Sequence, residues 1–174
     1  KGLGKGGAAL DESGEEYDGT LYMAWSHVTD GFLQPMLARS RDGGRSWSAP
    51  VRVNRGGRES HHSTPQVAVG PEGLVAVTWN DRRHDPEDQC YHHYVAISRD
   101  GGRSFGEERR ISERETCLPP GYRWQNGGDT QGIVALPDGT FRTVWSGPGP
   151  HGPRPWTAEI RIRLPGVDRG AIDK

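Results

Sequence analysis

The sequence predicts an all-β protein built from repeated four-stranded sheets, which is the organisation of a β-propeller. Two observations lead to this prediction. The heptapeptide Ser-Arg-Asp-Gly-Gly-Arg-Ser occurs at residues 40–46 and again at residues 98–104, and an aromatic residue follows each copy. Around both copies, short apolar segments recur in the same order. A repeat at this spacing indicates an array of similar units stacked on one another.

The repeated heptapeptide has the chemistry of a tight turn, here called the Asp turn. Aspartate folds its carboxylate onto nearby backbone N–H groups, and paired glycines supply the positive φ that such a turn needs. We therefore predict a structural role for both copies. The residues concerned are Ser40, Asp42, Gly44 and Trp47 in the first copy and Ser98, Asp100, Gly102 and Phe105 in the second.

Alignment of the two copies extends each into a unit of strand A, strand B, strand C, Asp turn and strand D. Strands are expected at 19–25, 35–40 and 50–54, at 65–69, 73–79, 94–98 and 109–112, and at 131–136, 139–145 and 156–162. The first unit has at most a partial strand A near residues 8–12, and the third has no Asp turn. Segments such as residues 74–79 are apolar on both faces, which favours strands covered by a sheet on each side. A two-sheet sandwich is the rival architecture, but it does not require the same turn in successive units.

The repeats divide the chain into three expected blades. They span residues 17–58, 59–116 and 117–164, after a flexible lead-in or partial strand at residues 1–16 and before a polar tail at residues 165–174. Closed propellers have four to eight blades, so three blades correspond to half of a six-bladed ring. Uncovered blade faces and sheet edges would favour self-association.

Composition and cysteine content narrow the functional classes. The formal net charge is −1 and no run of 18 apolar residues occurs. We therefore expect neither nucleic-acid binding nor a membrane span. Cys90 and Cys117 fall in connections at the same end of the blades, and we expect a disulfide between them, with two free thiols as the alternative. A disulfide would indicate a secreted or periplasmic protein.

Strand direction places the B–C loops and the D-to-A links at one end of the sheets and the Asp turns at the other. The first end carries Asp81, Arg82 and Arg83. Guanidinium forks bind carboxylates, and a nearby aspartate can act as acid or base, so these residues are candidate catalytic groups. The alternative is that Asp81 caps its loop while the arginines form salt bridges. Asp129, at the start of a strand, is a further candidate acid, with a plain Gly-Asp turn as the alternative.

The same end carries the candidate ligand-binding residues His27, His62 and Tyr122. Binding residues concentrate on loops above a rigid scaffold. Two histidine pairs, 61–62 and 92–93, also lie there, but adjacent side chains on a strand point to opposite faces. We therefore expect no metal site and no cofactor.

The pattern Ser-x-Asp-x-Gly-x-Ser-Trp/Phe at residues 40–47 and 98–105 resembles the Asp-box, also called the bacterial neuraminidase repeat. Over roughly residues 17–164, including 77–83 and 128–132, the chain resembles secreted bacterial proteins of the sialidase-like superfamily. The resemblance implies the C-terminal half of a sialidase-type propeller.

For function, the resemblance implies an exo-α-sialidase-like glycoside hydrolase, or a fragment of one, acting on terminal acidic sugars with a glycan as its partner. Because sialidases use a tyrosine nucleophile, the resemblance also makes Tyr122 a candidate for that role, and the alternative is a surface aromatic in a Pro-Gly loop. The N-terminal Phe/Tyr-Arg-Ile-Pro motif of these enzymes is absent here, and no residue matches their arginine triad. The alternative is therefore a non-catalytic propeller that binds glycan or protein.

Overall fold

The computed structural model describes residues 6–57, 59–117, 131–147, 149 and 154–162. These residues form three antiparallel sheets that follow one another along the chain. Apart from one 3-10 turn at Pro71–Gly73, no helix occurs in these ranges. The predicted all-β class is therefore confirmed, and the sheets are those of a partial β-propeller.

Each sheet is a meander in which neighbouring strands are consecutive in sequence. The first contains β1 to β4, at Gly6–Leu10, Leu21–Thr29, Phe32–Ser40 and Val51–Arg52. The second contains β5 to β8, at His62–Val69, Val75–Asp81, Cys90–Ser98 and Glu108–Arg110, with the short β9 at Thr116–Cys117 paired to the start of β7. The third contains β10 to β12, at Gln131–Ala135, Phe141–Gly147 and Arg154–Ile160.

Several strands are longer than the apolar pattern predicts. β2 continues to Thr29 rather than ending at residue 25, and β7 begins at Cys90 rather than at residue 94. β1 begins at Gly6, slightly before the partial strand expected near residues 8–12. The added residues of β2 and β7 are largely polar, so hydrophobic periodicity does not detect them.

The first strands of the three sheets lie side by side. β1 contacts β5, and β5 contacts β10. The Gln131 side chain also donates to the Thr64 carbonyl, and the Ser26 hydroxyl donates to the His62 carbonyl at 3.2 Å. The sheets are therefore arranged around their first strands, as blades are around a propeller axis.

The second sheet is buried on both faces. On β6, Val75, Val77 and Trp79 pack in the core shared with the first sheet. The alternate residue Ala76 and the preceding Leu74 pack in the core shared with the third sheet. This arrangement confirms the expectation for residues 74–79 and follows from the two-residue periodicity of a strand.

Both Asp turns close on their own side chains. In the first, the Ser40 hydroxyl donates to Asp42 at 2.8 Å, and the Ser46 N–H and hydroxyl donate to the same carboxylate at 2.8 and 2.6 Å. These bonds lower the pKa of Asp42 to about 2, with Ser46 as the main cause. In the second turn, Ser98 and Ser104 make the equivalent hydroxyl bonds to Asp100, both at 2.6 Å.

A tyrosine from the first sheet connects the Asp-turn ends of the first two sheets. Tyr17 lies against Gly73 and Gly101, where an added Cβ would approach its ring carbons to 2.3 and 2.1 Å. The Arg41 and Arg103 guanidiniums both lie 5.4 Å from its ring centroid, and Arg103 also donates to its hydroxyl at 2.8 Å. The two arginines come from the two copies of the repeat, so both Asp turns help to hold Tyr17.

We expect Gly101→Ala to destabilise the fold more than Gly43→Ala. The two glycines occupy the same position in the repeat and have φ values of 63° and 71°. Alanine at this φ costs about 1–2 kcal/mol at either site, but only at Gly101 does the new Cβ meet the Tyr17 ring, which adds roughly 1–3 kcal/mol. Urea unfolding of both variants measures the difference, and equal losses of stability would contradict this packing.

Candidate functional site

One end of the sheets gathers most of the described histidines, and we call it the histidine end. It comprises His61, His62, His84, His92 and His93. There β5 and β7 begin and β6 ends, with Asp81 paired in register to His62 on one side and to His92 on the other. The Asp turn follows the opposite end of β7, about 27 Å away at the usual rise per residue.

The Asp81 carboxylate is fully buried and faces donors from several directions. Arg83 binds it through both sides of its guanidinium fork, with Nε 2.8 Å from Oδ1 and Nη2 2.5 Å from Oδ2. The Trp79 indole donates to Oδ2 at 2.8 Å, and the Arg83 backbone N–H donates to Oδ1 at 3.0 Å. His62 Nδ1 lies 3.1 Å from Oδ2.

These contacts decide the charge of Asp81. Burial raises the pKa of the Asp81 carboxyl. The contact with His62 and the hydrogen bonds from Arg83 lower that pKa by more than burial raises it, so the net pKa lies well below the ordinary value. The group is therefore a carboxylate at neutral pH. A general acid needs a raised pKa, so Asp81 in this environment has the wrong electrostatics for that role.

Arg83 extends the network to the edge of the second sheet. Its Nη1 donates to Glu108 on β8, and its guanidinium carbon lies 4.6 Å from the Tyr94 ring centroid. Glu108 in turn accepts the backbone N–H groups of Arg55 and Gly56, both at 3.0 Å. Two carboxylates thus share one guanidinium, and the network joins β6, β8 and the link from the first sheet.

Arg82 also points into the protein. Its side chain is 6% exposed, its Nη1 donates to the Asp88 carbonyl at 2.7 Å, and the same nitrogen lies 3.8 Å from the Asp88 carboxylate. Burial lowers the pKa of Arg82, and the charge of Asp88 partly opposes that effect. Arg82 thus holds the β6–β7 loop in place by binding Asp88 within it.

His62 and His93 occupy the interior rather than the surface. His62 is fully buried, and its Nε2–H donates to the Gly57 carbonyl at 2.5 Å. His93 is also fully buried and stacks on Trp145 of the third sheet at 4.8 Å, with Asn80 at 3.1 Å from its Nδ1. Burial lowers the pKa of His93 to about 3, so this ring is neutral at pH 7.

The first strand of the second sheet carries a strained residue near this end. Thr64 has φ of 52°, which is unusual for a β-branched residue, and the β5–β6 register shifts between Ser63 and Gln66. The Asn80 amide donates to the Thr64 hydroxyl at 3.2 Å. Such bulges redirect side chains beside functional sites, and this one lies next to the start of β10.

Cys90 and Cys117 form the expected disulfide, which joins the start of β7 to β9. Among the described residues, one group with the spacing of a metal site consists of these two cysteines and Glu115. Its two sulfur atoms are bonded to each other and are not thiolates. This group therefore does not have the donors that a metal ion requires.

An open cleft lies at the histidine end between the second and third sheets. Its lining includes His92, Arg110, Glu113, Arg114, Arg154 and Trp156. The Arg154 guanidinium carbon lies 4.6 Å from the Trp156 ring centroid. A larger cleft beside the second Asp turn also holds an aromatic ring and arginines. We take the cleft at the histidine end as the candidate ligand site, because it adds a histidine and lies where the loops and links between strands meet.

The structure separates the residues proposed from the sequence into two groups. Asp81, Arg82 and Arg83 come together but make their contacts inside the protein, and His62 joins them there. His27 is exposed on β2, at the edge of the first sheet's outer face. Tyr122 and Asp129 lie outside the described residues.

Sequence reasoning missed several residues that the network requires. Glu108 and Tyr94 contact Arg83 from other strands, and nothing in their local sequence shows it. The role of Gly57 could have been predicted, because a Gly-Gly pair inside a link between strands indicates that another group packs closely against the backbone there. An added Cβ at Gly57 would lie 2.8 Å from the His62 ring.

Solved structures with this fold include glycoside hydrolases. An α-L-arabinofuranosidase of Fusarium graminearum, in complex with arabinobiose, is 14% identical with a TM-score of 0.58, over 90% of this chain and 45% of that one. A Hadza microbial sialidase is 17% identical with a TM-score of 0.56, over 92% and 31%. The intramolecular trans-sialidase from Ruminococcus gnavus is 15% identical with a TM-score of 0.51, over 79% and 25%.

These similarities establish the fold, which is that of sialidase-like β-propellers. The chain spans less than half the length of each of these three proteins. No protein-family model matches the sequence, and no curated protein matches it. Within the described ranges, no helix has the length and apolar character needed to cross a lipid bilayer.

We expect Asp81→Asn to destabilise the protein by roughly 3–5 kcal/mol, because it leaves Arg83 and His62 without their shared buried carboxylate. The matched control is Asp88→Asn, where the carboxylate is 36% exposed and its ionic contacts are 3.8 Å long. This control should cost less than about 1 kcal/mol. Chemical unfolding gives both values, and a small effect of Asp81→Asn would show that the buried network is not stabilising.

We expect stability to fall as the pH decreases below the ordinary histidine pKa of about 6.5, partly because of His93. Its folded-state pKa of about 3 lies below the unfolded value. Between about pH 3 and pH 6.5, the unfolded chain therefore binds one more proton at His93 than the folded chain does. The contribution of the neutral His93 ring to stability is complete above this range. His93→Gln should reduce the slope of stability against pH by up to about 1.4 kcal/mol per unit. Unchanged slopes in thermal unfolding from pH 7 to pH 4 would contradict the burial of a neutral ring.

Proposed function

We propose that this chain is part of a sialidase-like glycoside hydrolase that acts on terminal acidic sugars. The observation on which the proposal rests is the fold, since sialidases and an arabinofuranosidase share this succession of antiparallel blades. The Asp turns then correspond to Asp-boxes, because each has the hydroxyl-to-carboxylate bonds that its Ser and Asp positions require.

The cleft at the histidine end supports an acidic ligand. It presents Arg110, Arg114 and Arg154 together with Trp156. Guanidinium groups bind a carboxylate through paired hydrogen bonds, and an aromatic ring offers an apolar surface to a sugar. Two glutamates in the same cleft, Glu113 and Glu115, make it mixed in charge rather than uniformly basic.

Within this proposal, Asp129 is the candidate acid and Tyr122 is a ligand-binding residue. Asp129 comes two residues before β10, whose start lies at the histidine end beside the strained Thr64. Asp81 and Arg83 then serve as internal supports, because they engage each other and Glu108 rather than a ligand. The disulfide between Cys90 and Cys117 supports an extracytoplasmic location, secreted or periplasmic.

The second candidate function is a non-catalytic propeller that binds glycan or protein at the same end. One observation favours it. The strongest catalytic candidates in the sequence make their contacts inside the protein rather than with a ligand. These candidates are Asp81, Arg82 and Arg83. Under this alternative, the cleft recognises an acidic sugar without cleaving it.

The two functions are separated by measuring hydrolysis and binding on the same preparation. For the hydrolase we expect turnover of a fluorogenic sialoside, with Asp129→Asn reducing kcat at least about 100-fold because the acid is lost. Asp138→Asn is the matched control and should leave turnover unchanged, because Asp138 lies in the turn between β10 and β11, at the opposite end of the third sheet.

A blank hydrolysis assay with measurable binding of sialylated glycans on an array would favour the non-catalytic alternative. Loss of that binding in Arg154→Ala would assign it to the cleft between the second and third sheets. If the protein shows no turnover and no glycan binding, both proposed functions are contradicted.

A further inference from the structure

A long hairpin of the first sheet reaches the histidine end. β2 and β3 remain paired as far as Thr29 and Phe32, and the two residues between them, Asp30 and Gly31, have φ of 53° and 89°. Positive φ at both positions is typical of a type I′ turn, which closes a hairpin tightly. We call residues 28–33 the hairpin tip.

The turn leaves one backbone N–H of the hairpin tip without a partner strand. A two-residue turn is closed by a hydrogen-bonded pair, here Thr29 and Phe32, so the N–H groups of the next pair, Val28 and Leu33, point outwards. The other neighbour of β3 is β4, which pairs with it further along, at residues 36 and 37. The Leu33 N–H therefore needs an acceptor from elsewhere in the protein.

His61, in the link that enters the second sheet, supplies that acceptor. The Leu33 N–H donates to His61 Nδ1 at 3.0 Å, and the Phe32 ring centroid lies 5.4 Å from that of the imidazole. A backbone N–H can only donate, so Nδ1 carries no proton in this contact. The proton of the neutral ring is then on Nε2, which lies 3.8 Å from the Asp88 carboxylate.

The β6–β7 loop holds His61 from the other side. Asp88 accepts the His61 backbone N–H through Oδ1 at 3.4 Å and faces Nε2 through Oδ2. Arg82 lies behind Asp88, with its Nη1 3.8 Å from the same Oδ2. Of the other titratable groups on these elements, His62 and Arg83 contact Asp81, Asp85 binds N–H groups of its own loop, and the exposed ones are His27, Asp30, Arg55, Glu59, His84 and Glu87.

A second proton on His61 can be placed only at Nδ1, which is the atom that holds the hairpin tip. The doubly protonated ring has no acceptor, so the Leu33 N–H loses its partner. The contact with Asp88 becomes stronger, because a carboxylate attracts an imidazolium more than it attracts a neutral ring. The His61 side chain is 35% exposed, so protons reach it from the solvent.

We infer that His61 is a pH-dependent switch for the hairpin tip. At neutral pH it joins the tip to the β6–β7 loop, and in acid it keeps Asp88 and releases Leu33. Acid therefore opens the histidine end on the side of the first sheet. The release is local, because Gln34, the next residue of β3, is fully buried and its amide donates to the Ser60 carbonyl at 3.2 Å.

This switch is independent of the proposed hydrolysis. Its contacts lie between the first and second sheets, whereas the candidate cleft lies between the second and third. None of the residues that form the switch lines that cleft. A protein without any glycosidase activity would show the same response to acid.

Nuclear magnetic resonance between about pH 8 and pH 5 tests the switch, because histidine side chains ordinarily titrate in this range. We expect the Leu33 amide resonance to shift in step with the His61 ring. The protection of this amide from hydrogen exchange, corrected for the intrinsic rate, should fall roughly fivefold or more in acid, because one hydrogen bond is lost. The amide of Val77, buried in the second sheet, should keep its protection.

Three variants separate the switch from other effects of acid. His61→Asn keeps an acceptor oxygen near the Nδ1 position and does not titrate, so its hairpin tip should stay bound throughout the pH range. Asp88→Asn removes the carboxylate that favours the protonated ring, so the Leu33 transition should move to lower pH. His27→Asn is the matched control, because His27 is exposed on β2 of the same hairpin, and the Leu33 transition should be unchanged.

A wild-type Leu33 amide that does not change between these pH values would overturn the inference. An equal response of Leu33 in His61→Asn and in the wild type would do the same, since another group would then be titrating. Loss of protection at Val77 together with Leu33 would also overturn it, because acid would then unfold the sheets rather than release the hairpin tip.

Discussion

A buried negative charge governs how the middle sheet and its neighbours fit together. The Asp81 carboxylate has no access to water, so its charge must be compensated by the protein. Arg83 supplies that compensation from the adjacent loop, and His62 on β5 contacts the same carboxylate. Arg83 then recruits Glu108, and Glu108 binds the link that comes from the first sheet. One charge therefore fixes the relative positions of several segments at the histidine end.

The stacking of sheets provides the rest of the stability and leaves the ends of the sheets for binding. Trp79 and Trp145 are covered by the preceding sheet, and Tyr17 ties the first two sheets together at the Asp-turn end. Loops above such a rigid scaffold can vary without loss of the fold. The cleft that contains Arg154 and Trp156 lies at the end of the sheets where the loops and links meet.

The sequence predicted the parts of the structure that depend on local chemistry. The Asp turns form within a few residues, and the Asp42 carboxylate accepts its hydrogen bonds from serines of the same heptapeptide. The contacts of Asp81 could not be predicted, because Glu108 and His62 come from other strands. Salt bridging by Arg83 was one of two interpretations that the sequence allowed, and only the coordinates distinguish them. Tyr17 gave no signal, since its partners are glycines far along the chain.

The most direct test of the central claim is a double-mutant cycle on Asp81→Asn and Glu108→Gln. The two carboxylates do not touch in the network but share Arg83, so the account predicts that their effects on unfolding free energy are coupled by at least about 1 kcal/mol. Additive effects, within about 0.5 kcal/mol, would contradict the account, because Asp81 and Glu108 would then be acting independently of each other.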